Sequence, residues 1–340
     1  MGTDPVAERR TLRDTYGRQI TDLRVSVTDR CNFRCIYCRS AEPENYQPPE
    51  HLLTWAEMLR LCRILGTLGI RKIRVTGGEP LVRPGVEDFI ARLSSQGTFE
   101  EISITTNGLT LGERAQALKA AGASRVNVSV DSLQAERFDR ITRTKGTLRR
   151  VLEGIEAAQA VGLNPVKVNA VVVRGFNDDE IVDFAKFAIQ RGLVMRFIEF
   201  MPLDADHIWD RARVVTAEEI RRTLEAAGLP LEEVPRHCGS ETALRYRFAG
   251  GLPGEIGLVA PVSEPFCGKC SRIRLTADGK IRTCLFSRLD HDLRGLLRGG
   301  ATDGDLVDEI EHIIAAKEDG HHINDPDFQP ANRTMVFIGG

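Results

Sequence analysis

The 340-residue chain has no apolar run approaching the ~18 residues of a membrane span. The opening segment, MGTDPVAERR, lacks the apolar stretch of a secretory signal. Val6 stands where a myristoylation signal needs Ser or Thr. Aromatic residues make up only 6% of the chain and the formal net charge is −2, so neither stacking platforms nor a basic field point to nucleic acid. The absence of both a leader and a span implies a cytoplasmic home. In that compartment eight cysteines read as thiols or metal ligands rather than disulfides.

What is there is a repeating rhythm. Short β-branched strands are expected at 23–28, 72–76, 101–106, 125–131, 167–173 and 194–200, with helical patterns at 54–68, 86–96, 110–121, 147–161 and 178–191. Strands alternating with helices indicate a parallel sheet. The strands also alternate internally, with Arg24, Ser26 and Thr28, Lys72, Arg74 and Thr76, or Ser103, Thr105 and Asn107 set between Val, Ile and Leu. A half-exposed antiparallel sheet alternates this way. Helices after every strand would instead cover the apolar face and leave the polar face to a lumen, which favours an incompletely closed barrel. After about residue 210 the rhythm gives way to helices at 216–227 and 303–317 and strand pieces at 244–249, 256–260, 271–276 and 280–286. Thr276-Ala-Asp-Gly-Lys280 carries hairpin turn chemistry. Two units are therefore expected, a partial barrel over 1–215 and a smaller α+β extension over 216–340 that ends in Gly339-Gly340.

Two cysteine constellations carry the chemistry. Cys31, Cys35 and Cys38 follow the first strand directly. Three thiolates fit a zinc site completed by a distant ligand, or an iron–sulfur cubane with one iron left open. The end of a first parallel strand is where barrel active sites assemble, which favours the cubane. Cys267 and Cys270, with Cys284 further on, pose the same choice, and the neighbouring Arg272 and Arg274 fit a structural zinc poorly. Cys62 and Cys238 read as ordinary thiols, His321-His322 as a solvated pair and His237 as a weak ligand candidate. Lumen positions also hold Arg24, Lys72, Arg74, Lys167 and Arg196. Buried cations are costly without a counter-charge, so they suggest a phosphorylated ligand.

Cys-x3-Cys-x2-Cys after a first strand, with Thr76-Gly-Gly-Glu-Pro80 after a second, resembles the radical S-adenosylmethionine superfamily. Together with Phe197-Ile-Glu-Phe-Met-Pro202, the second cysteine set and the Gly-Gly ending, it resembles the GTP 3′,8-cyclase family of molybdenum cofactor biosynthesis. That resemblance implies an incomplete (β/α)6 barrel whose open side is closed by the extension, and two [4Fe-4S] clusters with S-adenosylmethionine as cofactors. Tyr37, Gly78, Ser129 and Met201 would contact S-adenosylmethionine. Arg24, Lys72, Arg74, Thr105, Lys167, Arg196, Arg272, Ile273 and Arg274 would hold GTP, with Arg272, Arg274, Gly339 and Gly340 placed at the chemistry. The first cluster would start the radical reaction and the second would hold the guanine. The implied partners are a low-potential electron donor, the cyclic pyranopterin phosphate synthase that acts next, and a second copy in a homodimer. A peptide-modifying radical maturase with an auxiliary cluster, and a non-enzymatic zinc module, are the competing readings.

Overall fold

A computed structural model describes residues 11–42, 46–235 and 241–339. Its centre is six strands: β1 (Asp22–Ser26), β2 (Lys72–Thr76), β3 (Glu101–Thr106), β4 (Arg125–Ser129), β5 (Lys167–Val172) and β6 (Val194–Glu199). Each pairs in parallel with the next. The helices between them are α1 (Trp55–Thr67), α2 (Val86–Ser95), α3 (Leu111–Ala120), α4 (Ala135–Thr142), α5 (Leu148–Ala160) and α6 (Ile181–Arg191). Only α4 has no counterpart in the sequence reading. It is eight residues long and buries Phe138 and Ile141, too few apolar positions to display a helical period.

The alternation along the strands has its physical cause here. Leu23, Val25, Ile73, Val75, Ile104, Val126, Val168 and Phe197 are all buried in one core together with Leu61, Phe89, Leu118, Ile155 and Phe184 of the helices. Truncating one of these to alanine costs on the order of 2–5 kcal/mol. The intervening polar side chains point to the other face, as they do inside a barrel. The first helix starts from a capping box, Thr54 with Glu57, and Arg298 bonds both Glu57 oxygens, which ties the C-terminal half to the barrel's first helix.

The later strands join the same sheet instead of forming a separate one. After α7 (Ala217–Ala226), β7 (Leu231–Val234), β8 (Leu244–Phe248) and β9 (Glu255–Val259) form a meander, and β9 lies parallel to β6. At the opposite edge β10 (Arg272–Leu275) runs parallel to β1 and is followed by β11 (Lys280–Arg282) and β12 (His291–Asp292). The sheet order is therefore β12-β11-β10-β1-β2-β3-β4-β5-β6-β9-β8-β7. The hairpin turn between β10 and β11 needs Gly279, because a Cβ there would stand 2.6 Å from Arg294 Cβ and 2.9 Å from Leu53 Cδ2. Helices α8 (Leu293–Arg298), α9 (Asp303–Ala315) and α10 (Met335–Ile338) complete the described chain. Among the described residues no helix is long and apolar enough to cross a membrane.

Candidate active site

The loop after β1 carries Cys31, Cys35 and Cys38 and is fixed on three sides. Arg34 N and Ile36 N donate to the carbonyls of Thr142 and Ile141 at the end of α4 (both 3.0 Å). Buried Arg39 donates through Nη1 to Cys31 O at 3.1 Å. Asn107, just past β3, reaches Asn32 Oδ1 at 2.7 Å. Burial, then the nearby Glu79 carboxylate, pushes the Cys31 thiol up to about 11. Burial, with Asp131 and the two sister cysteines, lifts Cys35 well above its ordinary value. In the metal-free chain these two thiols keep their protons, and a bound metal would supply the charge that makes them thiolates.

Thr76-Gly-Gly-Glu-Pro80 packs against this loop backbone to backbone. Gly78 N donates to Thr28 O at 2.7 Å and Glu79 N to Arg30 O at 2.8 Å. A Cβ on Gly77 would stand 2.5 Å from Thr28 O, and one on Gly78 would stand 2.3 Å from Arg30 O. No side chain fits at either place. The Glu79 carboxylate accepts from Leu81 N (2.9 Å), Thr106 Oγ1 (2.7 Å) and Asn107 N (2.6 Å). Burial pushes it up to about 7. Tyr37 donates to Asp131 Oδ2 at 2.7 Å, while Asp131 Oδ1 accepts from Val171 N at 2.9 Å. The ring beside the third cysteine is thus held from the end of β4.

Cys267 and Cys270 lie just before β10 and Cys284 just after β11, so the antiparallel pairing of these strands brings them to one end. Burial opposes ionisation of Cys270, but Arg272 and Lys317 outweigh it and pull the thiol down to about 6. Arg272 sits 3.5 Å from Cys270 Sγ and lies over the Phe266 ring. Both cysteine sets line one cavity. Among the described residues no three Cys, His, Asp or Glu side chains converge as around a single ion. A cubane does not need that convergence, since each thiolate takes its own iron. The thiols of each set, none of them in a disulfide and gathered on one short loop or one strand pair, fit such clusters.

Between the two sets runs a row of cations. Arg274, Arg24 and Arg74 are direct register neighbours on β10, β1 and β2. They line the cavity with Arg196 and Arg272. The Nε atoms of Arg74, Arg196, Arg272 and Arg274 are buried without a hydrogen-bond partner among the described residues. Burial, then Arg274, Arg74 and Arg272, lowers Arg24 well below its ordinary value. Burial, then Arg125 and Arg196, brings Arg74 down to about 9. Like charges crowded out of water raise the energy of the empty cavity and favour a polyanion within it.

The other expected positions divide. Tyr37, Gly78, Thr105, Ser129 and Met201 line the cavity. Lys72 and Lys167 do not, because they start β2 and β5 and lie below the arginines; Lys72 stands in register between Asp22 and Glu101. Lys167 still feels the cationic field, and burial with Arg196, Arg125 and Arg74 brings it down to about 7. The Ile273 side chain is in the apolar core, and the residue does not line the cavity that its neighbours Arg272 and Arg274 border. Gly339 lies against the ends of β1 and β2, where a Cβ would stand 3.0 Å from Ser26 Cβ and 3.2 Å from Thr76 Cγ2. Gly340, His237 and Cys238 lie outside the described residues. Cys62 is buried in α1, and burial alone raises its thiol to about 12.

The sequence reading did not carry Glu79, Asp131, Asn107 or Asn169 forward as site residues, although the first three lie just beyond the C-terminal ends of β2, β4 and β3 and Asn169 stands within β5 on the cavity face. That position was the available signal. His321, read as solvated, lines the cavity against Phe286, with ring centroids 5.1 Å apart.

Comparison with known proteins agrees with this geometry. Residues 25–188 match the Radical SAM superfamily model and residues 193–323 match Molybdenum Cofactor Synthesis C. The chain is 47% identical to the GTP 3′,8-cyclase of Mycolicibacterium smegmatis, over 100% of this chain and 94% of that protein. It is 45% identical to the GTP 3′,8-cyclase of Streptomyces coelicolor, over 97% of this chain and 96% of that one. Among solved structures, Streptococcus suis SuiB bound to S-adenosylmethionine shares the fold, with a TM-score of 0.57, 13% identity and coverage of 86% of this chain and 69% of that one. The chain belongs to the GTP 3′,8-cyclase family of the radical S-adenosylmethionine superfamily.

Proposed function

We propose that this chain is a GTP 3′,8-cyclase, joining C3′ of the ribose to C8 of guanine within one GTP molecule to give 3′,8-cyclo-7,8-dihydro-GTP for molybdenum cofactor synthesis. The observation that carries the reading is a single cavity bordered by two sets of three cysteines outside any disulfide, with a row of arginines between them. Cys31, Cys35 and Cys38 would hold one cluster, and Cys267, Cys270 and Cys284 the other. When bound, the first cluster and S-adenosylmethionine supply the radical chemistry that takes hydrogen from C3′, after which ring closure and the addition of one electron and one proton complete the product.

The chain's own residues do the placing. Arg24, Arg74 and Arg196 hold the triphosphate, Lys167 adds charge beneath it, and Lys72 shapes the pocket floor. Arg272 and Arg274 border the guanine end beside the second cysteine set. Tyr37, Gly78, Ser129 and Met201 surround S-adenosylmethionine, and Thr105 stands between the two ligands. Gly339 closes the cavity over β1 and β2, and Gly340 would extend that closure. Alignment of C3′ and exclusion of water are the protein's contribution to the rate.

Division into a barrel over 1–215 and an extension over 216–340, a cytoplasmic site of action, a low-potential electron donor, hand-over to cyclic pyranopterin phosphate synthase and a homodimer complete the reading. Anaerobic reconstitution should load about eight irons per chain. 5′-Deoxyadenosine should then form from S-adenosylmethionine with dithionite and GTP. Four irons, or no response to GTP, would overturn it.

A further inference from the structure

The second cysteine set is split across a hairpin, and the residues that hold its two halves lie far from it in sequence. Arg18 precedes β1 and is buried with Asp14, at side-chain exposures of 6% and 0%, with Nε 2.5 Å from Asp14 Oδ2. Its Nη1 donates to Cys267 O at 3.0 Å and to Asp319 O at 2.8 Å, and its Nη2 donates to Glu318 O. One planar fork therefore joins the Cys267 loop to the segment that follows α9. The same segment reaches the other half. Lys317, 3% exposed, donates to Thr283 O beside Cys284, and Thr283 Oγ1 donates to Glu318 Oε2 at 2.6 Å.

We infer that Arg18 and Lys317 are positioning residues for the second cluster, a two-cation clamp that sets Cys267 and Cys284 at one spacing through residues 317–319. The inference rests on the proposed second cluster. Each cation donates from a buried position to backbone carbonyl oxygen, so its loss releases one half of the set. The first cysteine loop is outside the clamp, because Arg39 and the end of α4 hold it.

The test uses Arg18→Lys, which keeps the charge beside Asp14 but loses the fork, and Lys317→Met. In the metal-free chain, alkylation should quicken by about tenfold at Cys267 in Arg18→Lys and at Cys284 in Lys317→Met, while Cys31, Cys35 and Cys38 react as before and report an intact fold. After reconstitution, iron should fall from about eight to about four per chain. The electron paramagnetic resonance signal of the first cluster with S-adenosylmethionine should be unchanged. Unaltered alkylation of Cys267 and Cys284, or equal acceleration at all six cysteines, would overturn the clamp. An unsubstituted chain that holds eight irons but does not cyclise GTP would sink the proposed function and leave the clamp standing, since alkylation reads it without any cluster.

Discussion

Replacing Arg74 by Met should make the ligand-free chain more stable and its polyanion site weaker. Arg74 stands in register beside Arg24, and its Nε is buried with no partner among the described residues. Burial and its arginine neighbours bring it from 12.5 to about 9. That gap corresponds to about 5 kcal/mol at ~1.4 kcal/mol per pH unit. Relaxation around the charge and the lost contacts of the arginine stem reduce this to roughly 2 kcal/mol. Because the folded value lies below the unfolded one, the penalty is complete below about 9 and fades as pH rises toward 12.5. At pH 7.5 it is fully present. Thermal denaturation of the metal-free chain at that pH should show the variant melting about 3 °C higher. Adding tripolyphosphate should raise the melting temperature of the unsubstituted chain more than that of the variant, since a ligand stabilises in proportion to its affinity. A variant that melts lower, or equal stabilisation of both by tripolyphosphate, would refute the account of the arginine row as strain held for a polyanion.

Gly78→Ala should cost roughly 2–4 kcal/mol and halve the iron content, because its Cβ meets the backbone of Arg30; denaturant titration and iron assay check this, and iron loading at the unsubstituted level would contradict it. Lys167 lies near 7 without ligand, so at pH 8 binding of tripolyphosphate should take up close to one proton, and affinity should fall as pH rises from about 7. Calorimetry in buffers of different ionisation enthalpy measures that uptake, and Lys167→Met should abolish it. Removing Gly339 and Gly340 should leave cleavage of S-adenosylmethionine intact and abolish cyclisation; an unchanged product yield would show that the tail has no part in closure.

Much of the barrel was legible because its strands alternate strictly. Val25 and Val75 had to enter the core while Arg24 and Arg74 faced away, and the register now places those arginines side by side. The joining of β9 to β6 and of β10 to β1 was not legible, since a strand's own pattern does not name a partner 61 residues away, as Glu255 is from Val194, or 250 away, as Arg274 is from Arg24. Lys72 and Lys167 share the lumen parity with the arginines, but parity gives the face and not the depth, so both were expected at the cavity and lie below it. The first fifteen residues carried no readable signal, yet Asp14 is the buried partner of Arg18. A lone carboxylate in a polar segment gives no hint of the arginine that will enclose it.

The proposed function requires one cavity to bring C3′ of GTP to the radical source held at Cys31, Cys35 and Cys38. GTP deuterated at C3′, incubated anaerobically with the reconstituted enzyme, dithionite and S-adenosylmethionine, tests it most directly by mass spectrometry. Deuterium should appear in the 5′-deoxyadenosine produced and be lost from the cyclised nucleotide. 5′-Deoxyadenosine that carries no deuterium, or deuterium retained on an unaltered GTP, would contradict it.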